Sequence, residues 1–150
     1  LLERLDQLGA EHHGGDVDAV RELLNQQSGL LGISGISPDM RTLLADQSNN
    51  ARLAVDMFVD RLVVEIGAAA AAIGGIDCLA FTGGIGENAA EIRRRAAEQL
   101  AWLGLSLDEA ANTGSEPVIS GAPSRVRALV IAADEELVIA RAALAMLQEA

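Results

Sequence analysis

Chemistry is most legible between Leu79 and Asn88, which read Leu-Ala-Phe-Thr-Gly-Gly-Ile-Gly-Glu-Asn. An apolar run, Ile76 to Phe81, stops at Thr82 and gives way to Gly83, Gly84 and Gly86. A helical pattern then starts at Asn88. The spacing predicts a strand, a glycine turn and a helix N-terminus. Backbone without side chains lets a ligand approach closely, and a helix start offers unpaired N–H groups to an anion. Such geometry suits the phosphates of a nucleotide. Two other polar clusters stand at element ends: Ser37-Pro38-Asp39-Met40-Arg41, opening a helix, and Ala132-Ala133-Asp134-Glu135-Glu136, after a second apolar run. In open α/β sheets ligands bind beyond the carboxyl ends of strands. The glycine turn and the last cluster both occupy such ends.

Each cluster also has a plain structural explanation. Asp39 suits a helix start through the dipole, with Arg41 on the surface. Glycines between a strand and a helix make a tight turn. Glu135 and Glu136 in a first helical turn are a common dipole device. No cluster decides alone.

Composition narrows the chemistry. The chain has 150 residues, enough for one domain with its own core. Its formal charge is −11, and its eleven basic residues are all Arg. The acidic balance excludes nucleic acid as the expected partner. Three aromatics, Phe58, Phe81 and Trp102, leave little for base stacking. With no Lys, a Walker-type phosphate lysine and a Schiff-base lysine are both excluded. Any phosphate chemistry must rest on backbone N–H groups, Arg and a metal ion. Half the residues are hydrophobic, yet no apolar run is long enough to span a bilayer. No basic region followed by an apolar stretch marks a signal peptide. The first residue is Leu1 rather than Met, so a processed product or a piece of something longer is expected. Cys78 is expected as a buried, inert thiol in a reducing compartment. His12 and His13, beside Gly14 and Gly15, lack partners at ligand spacing and are expected to be solvated.

The elements that must hold these clusters follow from periodicity. Asp16 is the expected N-cap of a helix carrying Val17, Val20, Leu23 and Leu24. Leu30 to Ile36 reads as a short extended segment. Ser37-Pro38 restarts a helix with Ser as N-cap. Asn50 to Ile73 has the longest helical pattern, with Leu53, Met57, Phe58, Leu62, Ile66 and Ala69 on the expected packing side. Its second half is apolar almost all round and is expected to be buried on several sides. The strand Ile76 to Phe81 is continuous rather than alternating, as for a strand covered on both faces. A helix from Asn88 to Leu103, capped by Asn88 and Glu91, buries Ile92, Ala96, Leu100 and Leu103 and leaves Arg93, Arg94 and Arg95 in solvent. Gly104 fits its C-terminal cap. Leu105 to Ser124 reads as a loop region, with Val118-Ile119 as a short strand within it. A second strand, Val126 to Ile131, precedes a last helix, Asp134 to Leu147. This order implies an α/β sandwich with a mostly parallel sheet flanked by helices.

Three stretches together resemble one family. They are Ser28 to Gly35 followed by Asp39-Met40-Arg41, then Phe81 to Asn88, then Asp134-Glu135-Glu136-Leu137 with Ile139-Ala140-Arg141. In this order and spacing they look like the C-terminal part of an acetate kinase. The resemblance covers Asp16 to about Leu147, and residues 1–15 match poorly. It implies the C-terminal lobe of the actin-like ATPase (ribonuclease H-like) fold over 16–150. It further implies reversible phosphoryl transfer from ATP to acetate, giving ADP and acetyl phosphate. Residues matching Asp39, Met40, Arg41, Gly84, Ile85, Gly86, Glu87 and Asn88 would contact the nucleotide, with Ile85 and Ile92 on the adenine side. The residue matching Glu135 would help to hold Mg²⁺, an ion that prefers oxygen ligands. Ala133-Asp134 stands where the family commonly has a pair such as Thr-Asn, which removes one hydroxyl near that metal.

The same resemblance implies a cytoplasmic homodimer with no membrane or nucleic-acid partner. It places the catalytic residues in N-terminal motifs that this chain does not contain. The chain is therefore expected to carry no catalytic residue of its own, to be inactive alone, and to meet acetate or acetyl phosphate only through the missing lobe. The alternatives are a segment of a propionate or butyrate kinase, and a non-catalytic nucleotide-binding or dimerisation module.

Overall fold

The computed structural model describes residues 16–134 together with Leu144 and Met146. The chain divides into two compact units, Leu1–Arg61 and Leu62–Ala150.

The first unit is helical among its described residues. Asp16 caps α1 (Val17–Gln26), its Oδ1 accepting from the N–H groups of Asp18 and Ala19 at 3.0 Å each. Helix α2 (Gly29–Ser34) replaces the extended segment expected there. The reason lies in glycine placement: Gly29 enters at φ 60, and Gly35 closes the helix at φ 64 by donating to Leu31 O. Both are left-handed positions that glycine occupies without strain, so here glycine punctuates a helix rather than loosening a strand. Helix α3 (Met40–Ala45) takes Asp39 as N-cap, not Ser37. Ser37 instead accepts from the Asp39 N–H at 3.0 Å and so shapes the approach to the cap. Helix α4 (Asn49–Ala72) is the longest element. Ser48 caps it through the Ala51 N–H (3.2 Å), and Asp46 accepts from the Ser48 N–H at 2.7 Å.

The buried stripe of α4 is not the one expected. Ala51, Ala54, Val55 and Val59 are buried, whereas Leu53 and Met57 are about half exposed. Further along, Val64 and Ile73 are largely in solvent (59% and 73%), although the second half was expected to be covered. A helix apolar on every side has no periodicity from which to choose a face.

The second unit is built on two parallel strands, β1 (Cys78–Phe81) and β2 (Arg127–Val130), paired Cys78 with Arg127 through Phe81 with Val130. Val118 adds an antiparallel bridge to Leu129, and Leu107 one to Ser120, so the Val118 segment runs beside β2. Phe81, Ala97, Leu100, Leu105, Ile119, Val126 and Ala128 form the core, with Val63, Ile66 and Val130 packed against it. Burial along β1 alternates, leaving Cys78 and Ala80 exposed. The expectations of a strand covered on both faces and of a buried thiol are both corrected.

The helix expected over Asn88 to Leu103 is broken into α5 (Gly83–Asn88), α6 (Ala90–Gln99) and a 3₁₀ turn (Ala101–Leu103). Ile92, Ala96 and Leu100 are buried, as their spacing predicts. Gly104 closes the 3₁₀ turn at φ 88. The expected loop Leu105 to Ser124 holds a further short helix, α7 (Glu109–Thr113). The last helix expected from Asp134 lies outside the described residues except for Leu144 and Met146, which are helical. Among the described residues no helix is long and apolar enough to cross a membrane.

Candidate functional site

The glycine turn sits at the carboxyl end of β1, as the sequence predicts, but it is itself the six-residue helix α5. Its glycines have different reasons. Gly83 adopts φ 71, which favours glycine. A Cβ on Gly86 would lie 3.1 Å from the Phe81 carbonyl carbon, so the turn could not lie so close against the end of β1. Gly84 has neither constraint: a Cβ there would meet nothing within 4 Å. Gly84 is exposed, and the space a side chain would fill is open.

Side chains lock the turn. Asn88 Nδ2 donates back to Gly84 O at 2.9 Å, so Asn88 closes α5 and does not cap α6. The N-cap of α6 is Ala89, without a side-chain bond, and Glu91 pairs with Arg94 at 2.7 Å. The expected Asn88–Glu91 capping pair is thus absent. Glu87 Oε1 accepts from the Ala133 N–H at 2.9 Å. That bond joins the turn to the segment leaving β2, which leads to Glu135. Ile85 is half-buried. Ile92 is 2% exposed and belongs to the interior. Glu135 lies outside the described residues. Among those described, no cluster of three or more His, Cys, Asp or Glu is placed to hold a metal ion.

Arg93 departs most from expectation. Its side chain was expected in solvent and is fully buried. Nη1 donates to Gly86 O (2.7 Å) and Glu87 O (2.9 Å), Nε to Asn112 Oδ1 (2.8 Å), and Nη2 to Asn112 O (2.6 Å) and Ser115 Oγ (3.0 Å). Five N–H groups meet five oxygens, none of them from a carboxylate. Burial lowers the proton affinity of this guanidinium, which remains charged. Arg94, by contrast, is held by Glu91 and Glu98 on the helix surface. The signal available in the sequence was position: Arg93 follows Ile92 and precedes Ala96 and Ala97 on the inward side of α6, but a run of three arginines reads as a solvated face.

In the first unit, Asp39 and Arg41 engage each other. Asp39 Oδ1 accepts from the Arg41 N–H at 2.8 Å, and Oδ2 from Arg41 Nη2 at 2.9 Å. The Arg41 hydrogen bond holds the Asp39 carboxyl below the usual carboxylate range, and Asp39 in turn raises Arg41. The Arg41 side chain is 82% exposed. Met40 is buried, so its side chain packs while its backbone carries the turn. A cleft of about 510 Å³ lined by Ile73, Asp77, Trp102 and Arg125 lies by the amino end of β1, the end away from the glycine turn.

A parallel strand pair with a glycine turn at its carboxyl end defines an α/β protein. A sequence model of the Acetokinase family matches residues 8–141. The chain belongs to the acetokinase family. It is 48% identical over 130 residues to the acetate kinase of Rickettsia felis, an alignment covering 87% of this chain and 34% of that protein. Among solved structures it resembles Porphyromonas gingivalis acetate kinase (36% identity, TM-score 0.78, covering 97% of this chain and 37% of that one). It also resembles a propionate kinase from Francisella tularensis (37% identity, TM-score 0.77, 91% and 36%). The chain spans about a third of the length of the curated relatives it matches. Its mixed α/β architecture with a parallel pair agrees with the actin-like ATPase fold that the resemblance implied.

Proposed function

We propose that this chain supplies the nucleotide and magnesium side of an acetate kinase. The reaction is transfer of the terminal phosphoryl group of ATP to a carboxylate oxygen of acetate, giving ADP and acetyl phosphate. The observation that carries the reading is the turn at the end of β1. Gly84 leaves open the space a side chain would fill, and Gly83, Gly86, Asn88 and Glu87 each have a separate device fixing the turn's shape. In this reading Gly84, Ile85, Gly86, Glu87 and Asn88 bind ATP or ADP, and the family resemblance assigns nucleotide contacts to Asp39, Met40 and Arg41 as well. Arg41 exchanges part of its pairing with Asp39 for the anionic nucleotide. Glu135, two residues beyond the Ala133 N–H that Glu87 holds, would contribute a carboxylate to Mg²⁺. Magnesium held there would supply positive charge against the transferred group.

Residues 16–150 are read as one nucleotide-binding lobe of a longer cytoplasmic, homodimeric enzyme whose remaining part holds acetate and the catalytic groups. The full-length protein is expected to form acetyl phosphate, trapped as the hydroxamate, with kcat/KM higher for acetate than for propionate or butyrate. The 150-residue chain alone is expected to form none. A full-length protein that is folded and inert with all three acids would sink the proposal. A preference for propionate would move it to the activity named for the Francisella structure.

A further inference from the structure

Helix α5 has six residues, too few to hold itself in water. The carbonyls of its last turn have no partner within the helix. Two of them, Gly86 O and Glu87 O, are met from beneath by Arg93 Nη1. We propose that Arg93 is a positioning residue for the nucleotide turn: by gripping these two carbonyls it fixes the backbone of Gly84–Asn88 in the shape that receives a nucleoside di- or triphosphate. This rests on the nucleotide reading above and adds a residue that touches no substrate.

The rest of the network shows why Arg and not another cation stands here. Asn112, 1% exposed, holds the far edge of the guanidinium with both its side-chain and main-chain oxygens, and anchors itself through Nδ2 to Ala90 O at 3.0 Å. Ser115 Oγ accepts from Arg93 Nη2 and lies 3.1 Å from Glu87 O, to which it donates. Glu87 is therefore gripped at its carbonyl by Arg93 and Ser115, and at its carboxylate by the Ala133 N–H. The turn is tied at once to α6, to the end of α7 and to the exit of β2. A lysine in this place offers three donors on a point charge and cannot span a planar set of five acceptors. A cation beside the last carbonyls of α5 also complements the negative end of that helix.

The test uses the full-length protein with three substitutions: Arg93→Lys, Ser115→Ala and, as a control for general softening, Leu100→Ala. Leu100 is buried in the core and makes none of these bonds. Two readouts are taken: amide hydrogen exchange of residues 83–89, and KM for ATP against KM for acetate. Arg93→Lys is expected to speed exchange of the turn and raise KM for ATP by about tenfold each, the equivalent of one strong hydrogen bond. KM for acetate should stay within about twofold. Ser115→Ala, on an exposed loop, is expected to do the same by roughly threefold with little change in Tm. A folded Arg93→Lys protein whose turn exchanges at the wild-type rate overturns the inference, whatever the kinetics. So does a Leu100→Ala protein that raises KM for ATP as much as Arg93→Lys does. A wild-type protein that ignores ATP contradicts the kinase reading instead, and the exchange data then decide the bracing role alone.

Discussion

Single residues divide into those that shape the site and those that face outward. Gly86 and Gly84 are the sharpest pair. Alanine at Gly86 meets the Phe81 backbone at 3.1 Å, so it should destabilise the protein by about 1–3 kcal/mol, read from the denaturant midpoint. Alanine at Gly84 meets nothing and should leave that midpoint nearly unchanged while weakening Mg·ADP binding. Asp39 gives a pH prediction. Its carboxyl is held below its ordinary value by the Arg41 hydrogen bond, so its contribution is present above about pH 4 and is lost as pH falls through the lower folded value. The difference in urea midpoint between wild type and Asp39→Ala should therefore be largest near neutral pH and shrink in acid. A difference that grows on acidification would contradict the pairing. Asp46, held low by Ser48, works in the same direction, so acid should loosen the starts of α3 and α4 together. Where Glu135 is concerned, Glu135→Gln should raise the Mg²⁺ concentration giving half-maximal rate by about tenfold or more.

The elements show what periodicity can and cannot carry. Helix α6 was legible because Ile92, Ala96 and Leu100 alternate with polar residues at helical spacing, and those three are buried. Leu100→Ala should accordingly cost about 2–5 kcal/mol. Helix α4 was legible as a helix but not in its orientation, since apolar residues stand on every side of it, Leu53 and Ala54 among them. The structure buries the alanine and leaves Leu53 half exposed, so Leu53→Ala should change stability by no more than about 0.5 kcal/mol. The carboxyl-end turn was legible in position because three glycines interrupt an apolar run. Its closure on itself as α5 was not, because that depends on Asn88 reaching back to Gly84 and on Arg93 reaching up from α6. Those are contacts of tertiary geometry, and an arginine run carries no mark of which member turns inward. Helix α2 failed for the opposite reason: Gly29 and Gly35 stand at helix ends, and their sequence looks the same as glycine in a loose strand.

At the scale of the whole molecule, the chain has the acetokinase family's sequence over residues 8–141 and about a third of its relatives' length. In the reading proposed above this chain binds the nucleotide, whereas phosphoryl transfer also needs groups that position and neutralise the transferred phosphoryl. Binding and catalysis should therefore separate. The most direct measurement of the central claim is a calorimetric titration of the 150-residue chain with Mg·ADP, alongside its Gly84→Ala and Asp39→Ala variants. Saturable binding in the wild type, weakened in both variants while all three remain folded, is the predicted result. A folded wild-type chain that takes up no nucleotide, or binding indifferent to both substitutions, would contradict the account.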